Sequence, residues 1–373
     1  MEEHRNPRRS RRLAYQRARL QQGLLMSVIL LGTILCLTLG SLLTPDRTYS
    51  DSENRKLAQF PKLSWSAVND GSWFSDLESY TADQFAGRDF WIALRLRFLK
   101  LTGQKESNGV YLCSGDYLME PPADPPQDSR NVEAINAFAA RHTDLRLNMA
   151  VIPNAACILA DKLPKNAPVR DQSADLTALA GSLQGISFLD VSAALSAHTD
   201  EQLYYRTDHH WTDRGAYYAY KAFAESVGFD PTPIENFRTM ELTDSYQGSM
   251  YEYTQDERVK SFKDSVEAYF PTKPLTMTIH TKQGEVQTYD SAIMEWSPGY
   301  PAFLCGDNPY TVINVPENPQ DLNVLVMKDS FGNAFVPFLA EHYGNIFVVD
   351  ARYSDFNIVD AFEGYRFTDV IFV

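Results

Sequence analysis

Leu325-Val326-Met327-Lys328-Asp329-Ser330-Phe331-Gly332-Asn333 is an apolar run that ends in a charged pair and a serine, just before a segment with helical spacing. Unbroken apolar residues of this kind mark a strand buried on both faces, as parallel strands are. Three more runs read the same way, at residues 145–152, 186–189 and 346–349, so the first strand of interest is 323–327 among four. Helical patterns at 131–140, 213–227 and 331–341 lie between or beside them. Strands alternating with helices predict an α/β sandwich with a mainly parallel sheet. Open folds of that class place ligands beyond the carboxyl ends of the strands, which is where Ser330 falls. Backbone N–H groups at the start of the following helix are suited to hold an oxyanion.

The densest cluster of reactive side chains lies upstream, in Tyr204-Tyr205-Arg206-Thr207-Asp208-His209-His210-Trp211-Thr212, directly before the helix that Asp213 is placed to cap. In an extended or turning segment, residues two apart face the same way, so Asp208 and His210 converge while His209 points elsewhere. A carboxylate beside an imidazole fixes its tautomer and stabilises its charged form. Ser330 as nucleophile, His210 as base and Asp208 as its orienting carboxylate form one reading. Plain helix capping by Asp329 and Ser330, with a structural Asp208–His210 pair, is the other. A metal site built from Asp208, His209, His210 and Asp213 lacks HExxH or any comparable spacing, and no metal or other cofactor is expected.

Outward from these two clusters, residues 231–316 alternate and are rich in turn residues, the pattern of a β-rich insertion. The folded domain is expected over 73–373, its first part forming two short helices, with a linker over 44–72. Residues 23–43 carry no charge over 21 positions, enough to cross a bilayer as a helix. The preceding residues 1–22 hold seven Arg and two Glu, so the positive-inside rule makes them a cytoplasmic tail and places the rest outside the cell membrane as a single-pass protein. A cleaved signal peptide is the competing reading, though no A-x-A-like site follows the run.

The net charge is −14, and beyond residue 22 the chain carries 27 basic and 46 acidic residues. An acidic body excludes a nucleic-acid partner, whose phosphates need basic patches. Of the four cysteines, Cys36 lies in the apolar run, and Cys113, Cys157 and Cys305 make an odd set without zinc spacing. They are expected to be inert thiols.

Asp208-His209-His210-Trp211 resembles the signature that names the DHHW family of bacterial surface proteins. Glu53-Asn54-Arg55, Asp83-Gln84-Phe85-Ala86-Gly87-Arg88-Asp89, Lys328-Asp329-Ser330-Phe331, Pro337-Phe338-Leu339 and Asp350-Ala351-Arg352-Tyr353 look like further landmarks of that family. The family is similar in turn to the SGNH-hydrolase-like domains of alginate O-acetyltransferases, which use a Ser with an Asp-x-His pair lying earlier in the chain. Standard SGNH hydrolases have the reverse order, and their Gly and Asn oxyanion blocks have no clear counterpart here. The chain ends at Val370-Ile371-Phe372-Val373 where relatives continue, which reads as a truncation that leaves an edge strand incomplete.

The resemblance implies an SGNH-like three-layer α/β/α fold. It also implies serine-dependent acyl transfer or ester hydrolysis, O-acetyltransferase-like or esterase-like, on a cell-surface or secreted polysaccharide. Partners would be that glycan and a membrane-bound acyl-donor protein. Arg352 and Lys328 are candidates for holding the oxyanion, and Tyr204, Tyr205 and Trp211 for stacking on a sugar ring or, alternatively, for packing. A non-catalytic glycan-binding or assembly protein with the same fold is the alternative function.

Overall fold

The apolar runs become the centre of one large sheet. A computed structural model gives the fold and describes residues 7–50, 55–125, 129–254, 256–353, 362 and 364–373. The chain divides into two units, Met1–Gly103 and Gln104–Val373. The unit that holds the sheet thus begins at Gln104, whereas sequence pattern placed the start of the fold near Trp73.

The first unit opens with helix α1 (Pro7–Leu43), in which Tyr15–Leu43 is long and apolar enough to cross a membrane. Two-residue strands β1 (Tyr49–Ser50) and β2 (Arg55–Lys56) follow, then α2 (Trp65–Asn69), α3 (Ser72–Asp83) and α4 (Arg88–Thr102). The 83–89 landmark is the joint between α3 and α4. Gln84 Nε2 donates to the carbonyls of Arg47 and Ala58, Asp83 accepts from the Ala58 amide, and Arg47 forks onto the Asp89 carboxylate. Glu53 and Asn54, named above as landmarks, lie outside the described residues.

In the second unit, β3 (Glu106–Ser107), β4 (Val110–Leu112) and β5 (Leu118–Met119) form a small antiparallel sheet. The main sheet takes β6 (Arg146–Ala150), β7 (Ser187–Leu189), β10 (Thr276–His280), β11 (Val286–Tyr289), β12 (Tyr310–Asn314), β13 (Asn323–Met327), β14 (Asn345–Val349) and β15 (Asp369–Phe372). Strands β8 (Arg238–Tyr246) and β9 (Asp264–Phe270) pair separately as an antiparallel ribbon. Helices are α5 (Arg130–Arg141), α6 (Ala155–Ile158), α7 (Gln172–Ser182), α8 (Val191–Ser196), α9 (Asp213–Ser226), α10 (Ser249–Thr254) and α11 (Gly332–Phe335).

The order across the main sheet is β11-β10-β12-β14-β13-β15-β6-β7. It is a mixed sheet, and the expectation of a mainly parallel one needs correction. Strands β14, β13, β15, β6 and β7 pair in parallel, but β11, β10 and β12 extend the edge antiparallel. The physical reason lies in the 231–316 segment. Its β10 and β11 are joined by a short turn, which can connect only antiparallel neighbours, and with β12 they pair onto the main sheet. Residues 370–372 of the tail fall in β15, which lies between β13 and β6 in the interior of the sheet, so it is no edge strand.

The central strands are buried on both faces, as their composition demands. Val324, Val326, Ile346, Val348 and Ile371 join a core with Ala216, Tyr220 and Phe223 of α9 and with Phe335 and Phe338. Leu325, Phe347, Val349, Val370 and Leu147 pack on the other face with Ala139 of α5 and Phe362. The helix expected over 331–341 is shorter than its pattern. It runs as α11 and then tightens into a 3₁₀ turn over Val336–Glu341, where Pro337 has no N–H to continue an α-helical ladder.

Candidate active site

Two segments build the site. After β13 the chain turns through Lys328, Asp329 and Ser330 into α11. A Cβ at Gly332 would stand 2.6 Å from Lys328 Cβ, so only glycine lets this turn close onto the lysine stem. The second segment, 203–212, is a narrow hairpin. Tyr204 and Trp211 pair across it, and the Tyr205 amide donates to the His210 carbonyl. Its tip is fastened by Asp264 of β9, whose carboxylate accepts from the Arg206 and Thr207 amides, the Thr207 hydroxyl and Gln202 Nε2. The helix behind it is capped by Thr212, whose hydroxyl accepts from the Gly215 amide. Asp213 does not cap. It is buried one position further on and accepts from the Tyr269 amide of β9.

The hairpin tip and the β13 turn meet. His210 Nε2 lies 2.8 Å from Ser330 Oγ, and His210 Nδ1 lies 2.6 Å from Asp208 Oδ1. Asp208 and His210 are buried, and Ser330 is partly exposed. The other Asp208 oxygen accepts from the Tyr246 hydroxyl and the Ser249 amide, both at 2.9 Å. Burial alone would raise the Asp208 carboxyl, yet the hydrogen bonds and charge of His210, with a smaller contribution from His209, hold it below the ordinary carboxylate range. An ionised Asp208 keeps the proton on His210 Nδ1, which leaves Nε2 to accept from the Ser330 hydroxyl. The Tyr300 ring stacks on His210 at 3.8 Å and its hydroxyl donates to the Ser330 and Phe331 carbonyls, so one residue steadies both base and turn.

His209 does not point away. Its ring lies 3.8 Å from that of His210, and Nδ1 is 2.6 Å from the Ser249 hydroxyl. Asp208, His209 and His210 bring potential ligand atoms within 4.8 Å of one another. Hydrogen bonds to Asp208, Ser330 and Ser249 engage three of the four ring nitrogens, a set arranged for proton transfer more than for an ion.

The remaining sequence candidates sit elsewhere. Tyr204, Tyr205 and Trp211 are at most 1% exposed, and Trp211 Nε1 donates to the Phe331 carbonyl, so these rings have no face for a sugar and pack the hairpin into the core. Lys328 is buried with its ammonium 2.9 Å from Asp307 and 3.5 Å from Asp350. Arg352 forks between the same two carboxylates. Neither cation is free to turn toward an oxyanion; together they form an ionic cluster around the turn that carries Ser330. Burial pushes the Asp307 carboxyl up, but the Lys328 ammonium beside it, with Asn333 and Arg352, holds it lower overall.

The amides expected to hold an oxyanion are also mostly engaged. Phe331 N–H donates to the Asp329 side chain, Gly332 N–H to the Asp329 carbonyl and Asn333 N–H to the Ser330 carbonyl. Only the Ser330 amide, among these, makes no hydrogen bond with the described residues.

Tyr246, Gly248, Ser249, Asp264, Tyr300 and Asp307 were not singled out from sequence. Gly248 alone carried a signal that could have been noticed, as a glycine between Gln247 and Ser249 at a strand end. A Cβ there would fall 2.2 Å from Asp208 Oδ2. Glu120, just after β5, is half-buried; burial raises its carboxyl and the charge of nearby Asp208 adds to the rise.

A mixed α/β sheet with a Ser–His–Asp hydrogen-bonded chain at the carboxyl end of a central strand defines the class. The chain belongs to the DHHW family, whose model, described as DHHW protein, matches residues 150–349. Among solved structures it is similar to a DHHW family protein from Eubacterium siraeum, with 27% identity, a TM-score of 0.64, and coverage of 72% of this chain and 90% of that one. It is also similar in fold to Bacillus cereus PatB1 with a sulfonyl adduct, at 19% identity and a TM-score of 0.60, covering 71% and 93%. The O-acetyltransferase domain of Pseudomonas putida AlgJ aligns less closely, at 17% identity and a TM-score of 0.43, covering 70% and 89%. No curated protein matches.

Proposed function

We propose that this chain is an extracytoplasmic serine-dependent acyltransferase or esterase of SGNH-like three-layer architecture. It acts on O-acyl groups of a polysaccharide. The observation that carries the proposal is the chain of contacts from Ser330 Oγ through His210 to Asp208, at 2.8 and 2.6 Å. Distances of this size are those a nucleophile and its base need.

In the first half-reaction, Ser330 Oγ attacks the carbonyl carbon of an ester and His210 Nε2 takes its proton. The tetrahedral oxyanion is held by the Ser330 amide. Its collapse breaks the ester bond, the departing alcohol receives the proton from His210, and an acyl-serine remains. In the second half, His210 takes a proton from water or a sugar hydroxyl, which attacks the acyl group and restores Ser330. Asp208 stays ionised throughout and stabilises the imidazolium.

Helix α1 serves as a single membrane anchor with residues 1–22 inside, consistent with its apolar Tyr15–Leu43 stretch and basic flank. An acyl-donor protein in the same membrane would supply the acyl group for transfer. The test is turnover of p-nitrophenyl acetate by the full-length chain in detergent. The Ser330→Ala change should lower kcat by about 10³-fold or more. Equal rates in the two proteins, or no turnover by either, would favour a non-catalytic glycan-binding or assembly role.

A further inference from the structure

A groove lies away from Ser330. It encloses about 460 Å³ beside the β8–β9 ribbon, within the size range of small-ligand sites. Trp296 lines it and is 69% exposed. A tryptophan this open contributes little to the core, and its place in a groove gives the ring a use there.

The surroundings are ordered and polar. The Arg238 guanidinium lies 3.7 Å over the Phe270 ring and donates to Glu295 at 2.7 Å, which fixes one wall. Lys273 is spent on the Asn318 side chain and the Glu341 carbonyl. The Asp290 carboxylate is exposed and makes no hydrogen bond among the described residues. An exposed aromatic face suits the C–H face of a pyranose, and a free carboxylate suits its hydroxyl donors. Both cations of the groove already have partners, which disfavours an anionic sugar.

The groove is tied to the catalytic turn by one loop. From Asp290 and Trp296 the chain runs on to Tyr300, the ring that stacks on His210. Four residues span at most about 14 Å, so Trp296 lies within a few sugar units of Tyr300.

We propose that the Trp296 groove is a saccharide subsite that grips an uncharged or amine-bearing glycan at a distance from Ser330. Its service to the esterase site rests on the function proposed above; its affinity for sugar does not. The experiment uses the full-length Ser330→Ala chain in detergent, titrated calorimetrically with tetra-N-acetylchitotetraose, its deacetylated form and tetragalacturonate. The first or second should bind, the anionic probe should not, and adding Trp296→Ala should weaken binding by about tenfold or more. Failure of both non-anionic probes, tightest binding by tetragalacturonate, or an unchanged affinity with Trp296→Ala would overturn the subsite. Asp290→Asn provides a second variant, expected to weaken binding without disturbing the aromatic face. Turnover of p-nitrophenyl acetate by the chain with Ser330 intact reads the esterase site separately. Sugar binding without any ester turnover would uphold the subsite and overturn the reading of Ser330.

Discussion

His209 and His210 are sequence neighbours with rings 3.8 Å apart and different roles. His210 is bonded at both nitrogens, to Asp208 and Ser330, whereas His209 is bonded through Nδ1 to Ser249. Burial, reinforced by the adjacent His210, lowers His209 from its ordinary 6.5 to about 4. The folded chain therefore keeps His209 neutral while an unfolded chain protonates it on acidification below about 6.5. The unfolded state gains from that proton, so stability falls as pH drops from 6.5 toward 4 and this contribution then levels off. The Asp208 carboxyl, held low, acts in a different window: its stabilisation is present above the ordinary carboxylate range and is lost as pH falls through its lowered value. Urea unfolding at pH 4.5, 5.5 and 7 should show His209→Gln flattening the upper slope, which amounts to at most about 3 kcal/mol. An unchanged slope in the variant would show that His209 titrates normally. Tandem His was visible in sequence, but the assignment of each ring was not, because it depends on Ser249 and Tyr300, both distant along the chain.

At the scale of elements, strand composition was informative and contacts between elements were not. The run 323–327 became β13 with the expected ends, because an unbroken apolar stretch has few other places to go. The 203–212 hairpin has no such signature. Its shape depends on Asp264 of β9, which satisfies two backbone amides, a hydroxyl and a side-chain amide. Asp264 itself looks like any acid at the start of an alternating strand. Replacing it with alanine leaves buried donors without acceptors, and we expect a loss of about 2–5 kcal/mol of stability. Thermal unfolding would measure that loss. Ester turnover should fall with it even below the melting transition, since the tip that carries Asp208 and His210 loses its fastening.

Over the whole molecule, helices alternating with apolar runs were enough to indicate an α/β fold, but not the direction of every strand pairing. The parallel half follows from strands separated by helices. The antiparallel edge comes from 276–314, where alternating runs look the same whether the strands form their own domain or extend another sheet. The last described strand shows the same limit: an apolar tail reads as a strand, and only the sheet order places β15 between β13 and β6. That topology brings residues 120 positions apart, His210 and Ser330, within 2.8 Å at one strand end. Reaction of the full-length chain with a fluorophosphonate, followed by peptide mass spectrometry, tests this assignment most directly. The account predicts a phosphonyl adduct on Ser330 that vanishes in Ser330→Ala and is strongly suppressed in His210→Ala; labelling of Ser330→Ala to the wild-type extent would contradict it.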